Sequence, residues 1–330
     1  MNRTFSDILL LLSSYFPQSL LSESGLNHLL KTTEKFPSLI SPTVAFETKL
    51  SEESAFLDMF LGIAKKDRSL LVGSHPEIGL KPGLYSHNFW KNTIELGNRW
   101  VDAGSLWDQY LQMVIFEFDV GDVSQEIPIP ALFLQISEKM YQSAQRQLSL
   151  NNEHFSSSNY QWIIDTISQF NSSGLGSKTI ENIDLCFGNL NSRIFIDHVG
   201  FMASRIPAVV RINITNLNLD LLFNYLDDIN IDFPIHQIEQ CVSNMFQFVD
   251  HMVLALDVGE KIYPKLGIEF RMPKEKLNLN TQSQWFPFLD YLVEHDYCTE
   301  NKKEGLKKWI GRSREIYDPE LYKYYIYIDI

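Results

Sequence analysis

Cysteine is scarce: Cys186, Cys241 and Cys298 are the only three in 330 residues, and none lies in a CxxC pair. Their spacing suggests no disulfide framework, and a reducing, cytoplasmic setting is the simplest expectation. Basic charge is also short. Lys and Arg total 28 against 41 Asp and Glu, a net charge of −13. With no basic excess to displace phosphate counterions, a general nucleic-acid binder is disfavoured. No apolar run reaches the ~20 residues of a membrane span. The short run in MNRTFSDILLLLSSYF has Asp7 ahead of it and no A-x-A site behind it, so an amphipathic first helix is expected there rather than a signal peptide. Motifs that name a reaction are missing too. The eight histidines form no HExxH and no pair at ligand spacing, no GxSxG elbow occurs, and GLGSK at 174–178 lacks the Walker spacing and reads as a loop.

What is present is self-similarity. In HMVLALDVGEKIYPKLGIEFR, residues 251–271, two arms alternate with period two and flank a turn marked by Gly259 and Pro264. Met252, Leu254, Leu256 and Val258 share one face of the first arm; Leu266, Ile268 and Phe270 share one face of the second. Upstream, WDQYLQMVIFEFDVG at 107–121 matches MFQFVDHMVLALDVG at 245–259, Gln for Gln and Asp-Val-Gly for Asp-Val-Gly. The second arms match as well, PALFLQI from Pro130 against PKLGIEF from Pro264, with a further copy, PAVVRIN, from Pro207. Repeated units of this kind cannot bury their apolar faces alone.

Helices are expected at 5–30, broken near Pro17, then at 51–64, 88–111, 138–148, 160–170, 217–227, 236–249, 282–295 and 302–309. Strands are expected at 43–50, in hairpins at 113–137, 200–214 and 251–271, and at 322–330. Residues 70–85, and NSSGLGSK ahead of residue 179, read as loops. The fold class is therefore α+β: repeated β-β-α-α units whose antiparallel sheet curls toward a barrel with helices outside, since closure removes exposed edges. Residues 1–37 form an N-terminal helical segment and 38–330 a single repeated domain.

This order of elements, with strands such as PKLGIEF and YYIYIDI, resembles the ABBA (PT-barrel) aromatic and peptide prenyltransferases over about residues 38–330. The copied hairpins are also similar to uncharacterised cyanobacterial proteins. The last unit here has only its first strand, so either the chain is truncated or the barrel closes in another way. An unpaired edge at that strand is expected.

The non-apolar strand faces carry Glu47 and Lys49, Glu117 and Asp119, Phe133 and Gln135, Arg211 and Asn213, Lys265, Glu269 and Arg271, and Tyr325 and Tyr327. In an open sheet these would simply meet water. In a chamber, Arg211, Lys265 and Arg271 would bind a diphosphate, and Tyr325 and Tyr327 would add donors and shield a carbocation. A carboxylate would take the acceptor's proton; the resemblance places that base on an early strand, making Glu117 the first choice and Glu47 the second. The resemblance thus implies transfer of a prenyl group from a prenyl diphosphate to an aromatic small molecule or peptide side chain. No motif fixes a cofactor. Mg2+ is compatible, but Asp227, Asp228 and Asp232 read as a solvated helix end rather than a magnesium motif. The alternative is a non-catalytic peptide-binding or maturation partner, holding a peptide in the chamber or along a sheet edge.

Overall fold

A computed structural model describes residues 5–34, 43–72, 86–119, 129–141, 159–191, 193–203, 208–230, 235–249, 251–271, 286–309 and 325–329. The chain divides into two compact units. The first comprises Met1–Ile94, Phe116–Pro130 and Lys274–Tyr324; the second comprises Glu95–Ile115, Ala131–Pro273 and Tyr325–Ile330. Among the described residues no helix is long and apolar enough to cross a membrane.

The first unit holds α1 (Phe5–Ser13), α2 (Glu23–Thr33), the antiparallel strands β1 (Thr43–Glu47) and β2 (Asp58–Ala64), and a 3-10 turn at Lys65–Leu71. It also holds α9 (Phe286–Glu294) and α10 (Glu300–Trp309). Ser22 caps α2 by accepting from the Gly25 amide at 3.1 Å. The helix expected at 51–64 is absent, and residues 58–64 are strand β2. FLDMFLGIA fits either period; pairing with β1 decides it, and Met59, Leu61 and Ile63 are all fully buried at strand spacing. Within that stretch the Ser54 carbonyl accepts from Lys302.

Lys302 is fully buried. Its ammonium donates to Thr48 Oγ1 at 2.8 Å and to the Ser54 carbonyl at 2.6 Å, and Thr299 Oγ1 accepts from its amide. Burial lowers its pKa, which the charges of Glu53, Cys298 and Glu52 partly oppose. With the Thr299 amide donating to the Leu50 carbonyl, this clamp ties the start of α10 to the loop before β2.

Helix α3 (Asn88–Val101) runs from the first unit into the second. A single helix to residue 111 is not seen. Gly104 sits at φ +83°, a conformation that ends helices, and Ser105 caps a new one, α4 (Leu106–Tyr110), by accepting from the Asp108 amide. Trp90, Leu96 and Trp100 of α3 are buried, whereas Leu106 is exposed.

The second unit is built on a run of antiparallel strands in sequence order: β4 (Ala131–Ile136), β5 (Phe195–Met202), β6 (Val209–Leu217), β7 (His251–Val258), β8 (Ile262–Arg271) and β9 (Tyr325–Asp329). Strand β3 (Leu111–Phe118) crosses from this unit into the first at Phe116. Among the described residues β9 pairs on one side alone, with β8. Helix α5 (Gln161–Phe170) packs on β5, α6 (Ser177–Gly188) on β7 and α7 (Leu219–Asp228) on β6, with α8 (Ile235–Phe246) against α7. Helix α6 was not expected; the Gly-Ser run ahead of it masked the helical spacing of Ile183, Cys186 and Phe187, all buried. Residues 138–141 are helical, and the remainder of the helix expected to 148 lies outside the described residues. So do 73–85 of the expected loop, 282–285 of the expected helix, and Asp232.

The apolar strand faces behave as the alternation requires. Leu254, Leu256, Leu266, Ile268 and Phe270 are buried, and so are the corresponding Phe116, Phe118, Leu132, Leu134 and Ile136 of the upstream arms.

All three cysteines are free thiols. Burial pushes the Cys186 thiol up to about 12 and the Cys298 thiol up to about 11. Thiolate is the reacting form. At pH 8, iodoacetamide is therefore expected to modify the half-buried Cys241 first, with Cys186 and Cys298 protected until denaturant is added. Mass spectrometry of the alkylated peptides checks this.

Candidate functional site

The second face of the unit-two sheet carries the polar residues. Cross-strand partners share a face, so the register fixes its rows. One runs Gln135, His198, Asn213, Ala255, Gly267 and Asp329; the next runs Phe133, Gly200, Arg211 and Asp257. Met202 pairs with Val209, Glu269 lies between Val253 and Tyr327, and Arg271 lies between His251 and Tyr325. Lys265 shares the face by alternation with Gly267 and is exposed. The register therefore brings Arg211, Lys265, Glu269, Arg271, Tyr325 and Tyr327 to positions on one face. Glu117, half-buried on β3, lies in the first unit, as does the exposed Glu47.

This face is not simply open to water. Phe133, Met202, Val209, Val253 and Ala255 on it are buried. Ala131, Phe133, Met202 and Val209 form an apolar cluster against which Ile115 and Tyr263 pack. Gly200 makes room for it: a Cβ there would come within 2.4 Å of the Phe133 ring.

Beside this apolar patch lie two polar assemblies. In the first, Arg211 grips Asp257 with both prongs, Nε to Oδ1 at 2.7 Å and an Nη2 contact to Oδ2 at 3.0 Å. The side chains are only 12% and 16% exposed. The geometry is the fork-to-carboxylate match that arginine makes best. The expectation that Arg211 awaits a diphosphate has to be set against this: Asp257 already balances its charge.

In the second, a β-bulge shifts the β5 register between Ile196 and His198. It re-aims Asp197, which strict alternation would send to the opposite face from His198. Gln135 Nε2 donates to Asp197 Oδ1 at 3.3 Å, and Asp197 Oδ2 lies 3.2 Å from His198 Nδ1. Both side chains are 12% exposed. Next to His198, the Asn213 side-chain oxygen is shielded from solvent, and no donor reaches it among the described residues. Burial above all raises the Tyr141 phenol well beyond its ordinary pKa; a backbone contact at Ile196 lowers it, and the charge of Asp197 raises it further.

Gln135, Asn213 and Phe133 are legible in the sequence as face residues. Asp197 and His198 are not, because a bulge has no signal in an alternation pattern; an adjacent Asp-His pair inside a strand is the one hint. Asp257 falls on the right face, but its partner is set by the register of β6 against the next strand, β7. Among the described residues no group of three or more His, Cys, Asp or Glu is placed to hold a metal ion, and Asp227 and Asp228 are exposed at the end of α7.

Set beside known proteins, the chain matches no family model, no curated protein and no solved structure.

Proposed function

We infer that the polar and apolar face of β4–β8 is a ligand-binding surface, and that the chain is a non-catalytic binding partner for an amphipathic ligand or short peptide segment of low anionic charge. One observation carries this reading: Arg211, the best-placed cation of the face, is already balanced by Asp257 through two short hydrogen bonds. A diphosphate would have to compete with a carboxylate held in place. The apolar cluster of Phe133, Met202 and Val209 meanwhile offers a wall for a hydrocarbon body.

The transferase expected from the ABBA resemblance is kept as a second reading, because the register sets Arg211, Lys265 and Arg271 on the same face as Tyr325 and Tyr327. In that reading a prenyl diphosphate binds the cations and an aromatic acceptor or peptide side chain receives the prenyl group.

The two readings separate by titration. Nile red, a neutral dye that brightens in apolar surroundings, is expected to bind, and Phe133→Ala is expected to weaken that binding severalfold. Dimethylallyl or geranyl diphosphate is expected neither to displace the dye nor to raise the melting temperature, which a ligand of the native state must do. Diphosphate binding that Lys265→Ala weakens tenfold or more would establish the transferase reading instead.

A further inference from the structure

We propose that α10 is a strap: it is fastened to the first unit by polar contacts, hinges at 295–299, and opens under the control of ionic strength while β2 stays folded. The inference concerns the first unit and does not depend on the ligand surface of the second. Its first support is how α10 is held. A surface helix ordinarily docks by an apolar stripe. Among the described side chains of α10, Lys302 and Gly305 are buried and Leu306 is half-buried. The anchoring contacts are polar instead. Lys302 donates to Thr48 Oγ1 and to the Ser54 carbonyl, and Asn301 Nδ2 donates to Glu53 Oε2 at 3.1 Å. Toward α9, Lys303 Nζ and Lys307 Nζ lie 3.1 and 3.7 Å from Asp290 Oδ1. The Asp290 side chain is 49% exposed, so salt screens those two pairs. Segments with few buried apolar contacts open ahead of the rest of a fold.

The second support is the hinge. Asp296 holds φ +59°, in the left-handed region that residues with a side chain rarely adopt. On one side of it the Tyr297 and Cys298 amides donate to the Leu292 carbonyl and close α9. On the other, Thr299 Oγ1 caps α10 by accepting from the Lys302 amide at 3.2 Å. Each helix therefore ends on its own hydrogen bonds, and a rotation between them costs neither helix its cap. The third support is what α10 covers. Gly305 sits on the turn before α2, where a Cβ would strike Ser19 Oγ and come within 3.0 Å of Leu20 Cγ. Leu20 is 1% exposed. Opening lays Leu20 bare and withdraws the ammonium from the Ser54 carbonyl, whereas β2 keeps its pairing with β1 and its buried Met59, Leu61 and Ile63.

Hydrogen exchange of the full chain, read by mass spectrometry, tests the strap. Peptides covering α10 are expected to exchange about tenfold faster than those covering β2, or more. Raising NaCl from about 0.1 M to about 1 M, which shortens the screening length from about 10 Å to about 3 Å, is expected to speed α10 severalfold and to leave β2 unchanged. Lys302→Met removes the donor to Thr48 and Ser54 and is expected to speed α10 about ten- to a hundredfold, the worth of a hydrogen bond to a charged group. Gly305→Leu supplies a better helix former but wedges α10 away from Leu20, so it is expected to speed α10 as well. Helix propensity alone would slow it. That second variant keeps the test decisive if Lys302→Met folds poorly. Exchange of α10 in step with β2 overturns the strap, and so does exchange of α10 that neither salt nor Gly305→Leu alters.

Discussion

Leu256→Ala is expected to lower the free energy of unfolding by about 2–5 kcal/mol. Leu256 is fully buried in β7, between Ile212 of β6 and Leu266 of β8, both also buried. The loss has two parts, the transfer of the missing methyl and methylene groups and the cavity that a well-paired central strand cannot close. Urea unfolding at constant m-value measures it. A loss below about 0.5 kcal/mol, within the range of surface substitutions, would mean that the strand's apolar face is not the core face.

Asp257→Ala is expected to cost about 3–5 kcal/mol, the range for removing one partner of a buried ion pair. The cost arises less from the attraction lost than from leaving Arg211 in a site where its side chain is 12% exposed. The double variant Arg211→Met with Asp257→Leu is expected to recover most of the loss, since apolar replacement of a buried pair removes the desolvation penalty of both ions. Full additivity of the two single changes in a double-mutant cycle would show that the pair contributes nothing to stability. The same variants bear on function. If the pair is structural, its removal leaves Nile red binding in place; if Arg211 binds an anion, Asp257→Ala would create diphosphate affinity.

Much of the second unit was legible because its strands alternate cleanly. Leu254, Leu256, Leu266, Ile268 and Phe270 announce one face, and the structure buries all five. The stretch 58–64 fits a helix in the sequence for the opposite reason: a nearly continuous apolar run satisfies two periods at once, and only the partner strand β1 decides between them. Helix α6 was lost behind a Gly-Ser loop, and the α3–α4 break turned on the backbone of Gly104. In the candidate site, alternation placed Arg211, Lys265 and Glu269 on one face correctly, but it carries no information about pairing. The Arg211–Asp257 fork depends on the β6–β7 register, and the Asp197–His198 corner depends on a bulge. Lys302, the most buried charge described, looks in the sequence like an ordinary helix residue, since nothing local shows that Thr48 and Ser54 will meet it.

The central claim is that ligand is held on the polar and apolar face of β4–β8, against the Phe133, Met202 and Val209 cluster on β4–β6. Photo-crosslinking tests it most directly, with a diazirine-bearing 3-phenylpropanol bound to the full chain, irradiated, digested and mapped by mass spectrometry. The account predicts labelling concentrated in Ala131–Ile136, Phe195–Met202 and Val209–Leu217, suppressed by excess unlabelled alcohol and reduced in Phe133→Ala. Suppressible labelling confined to the first unit, for example around β1 or α10, would contradict it.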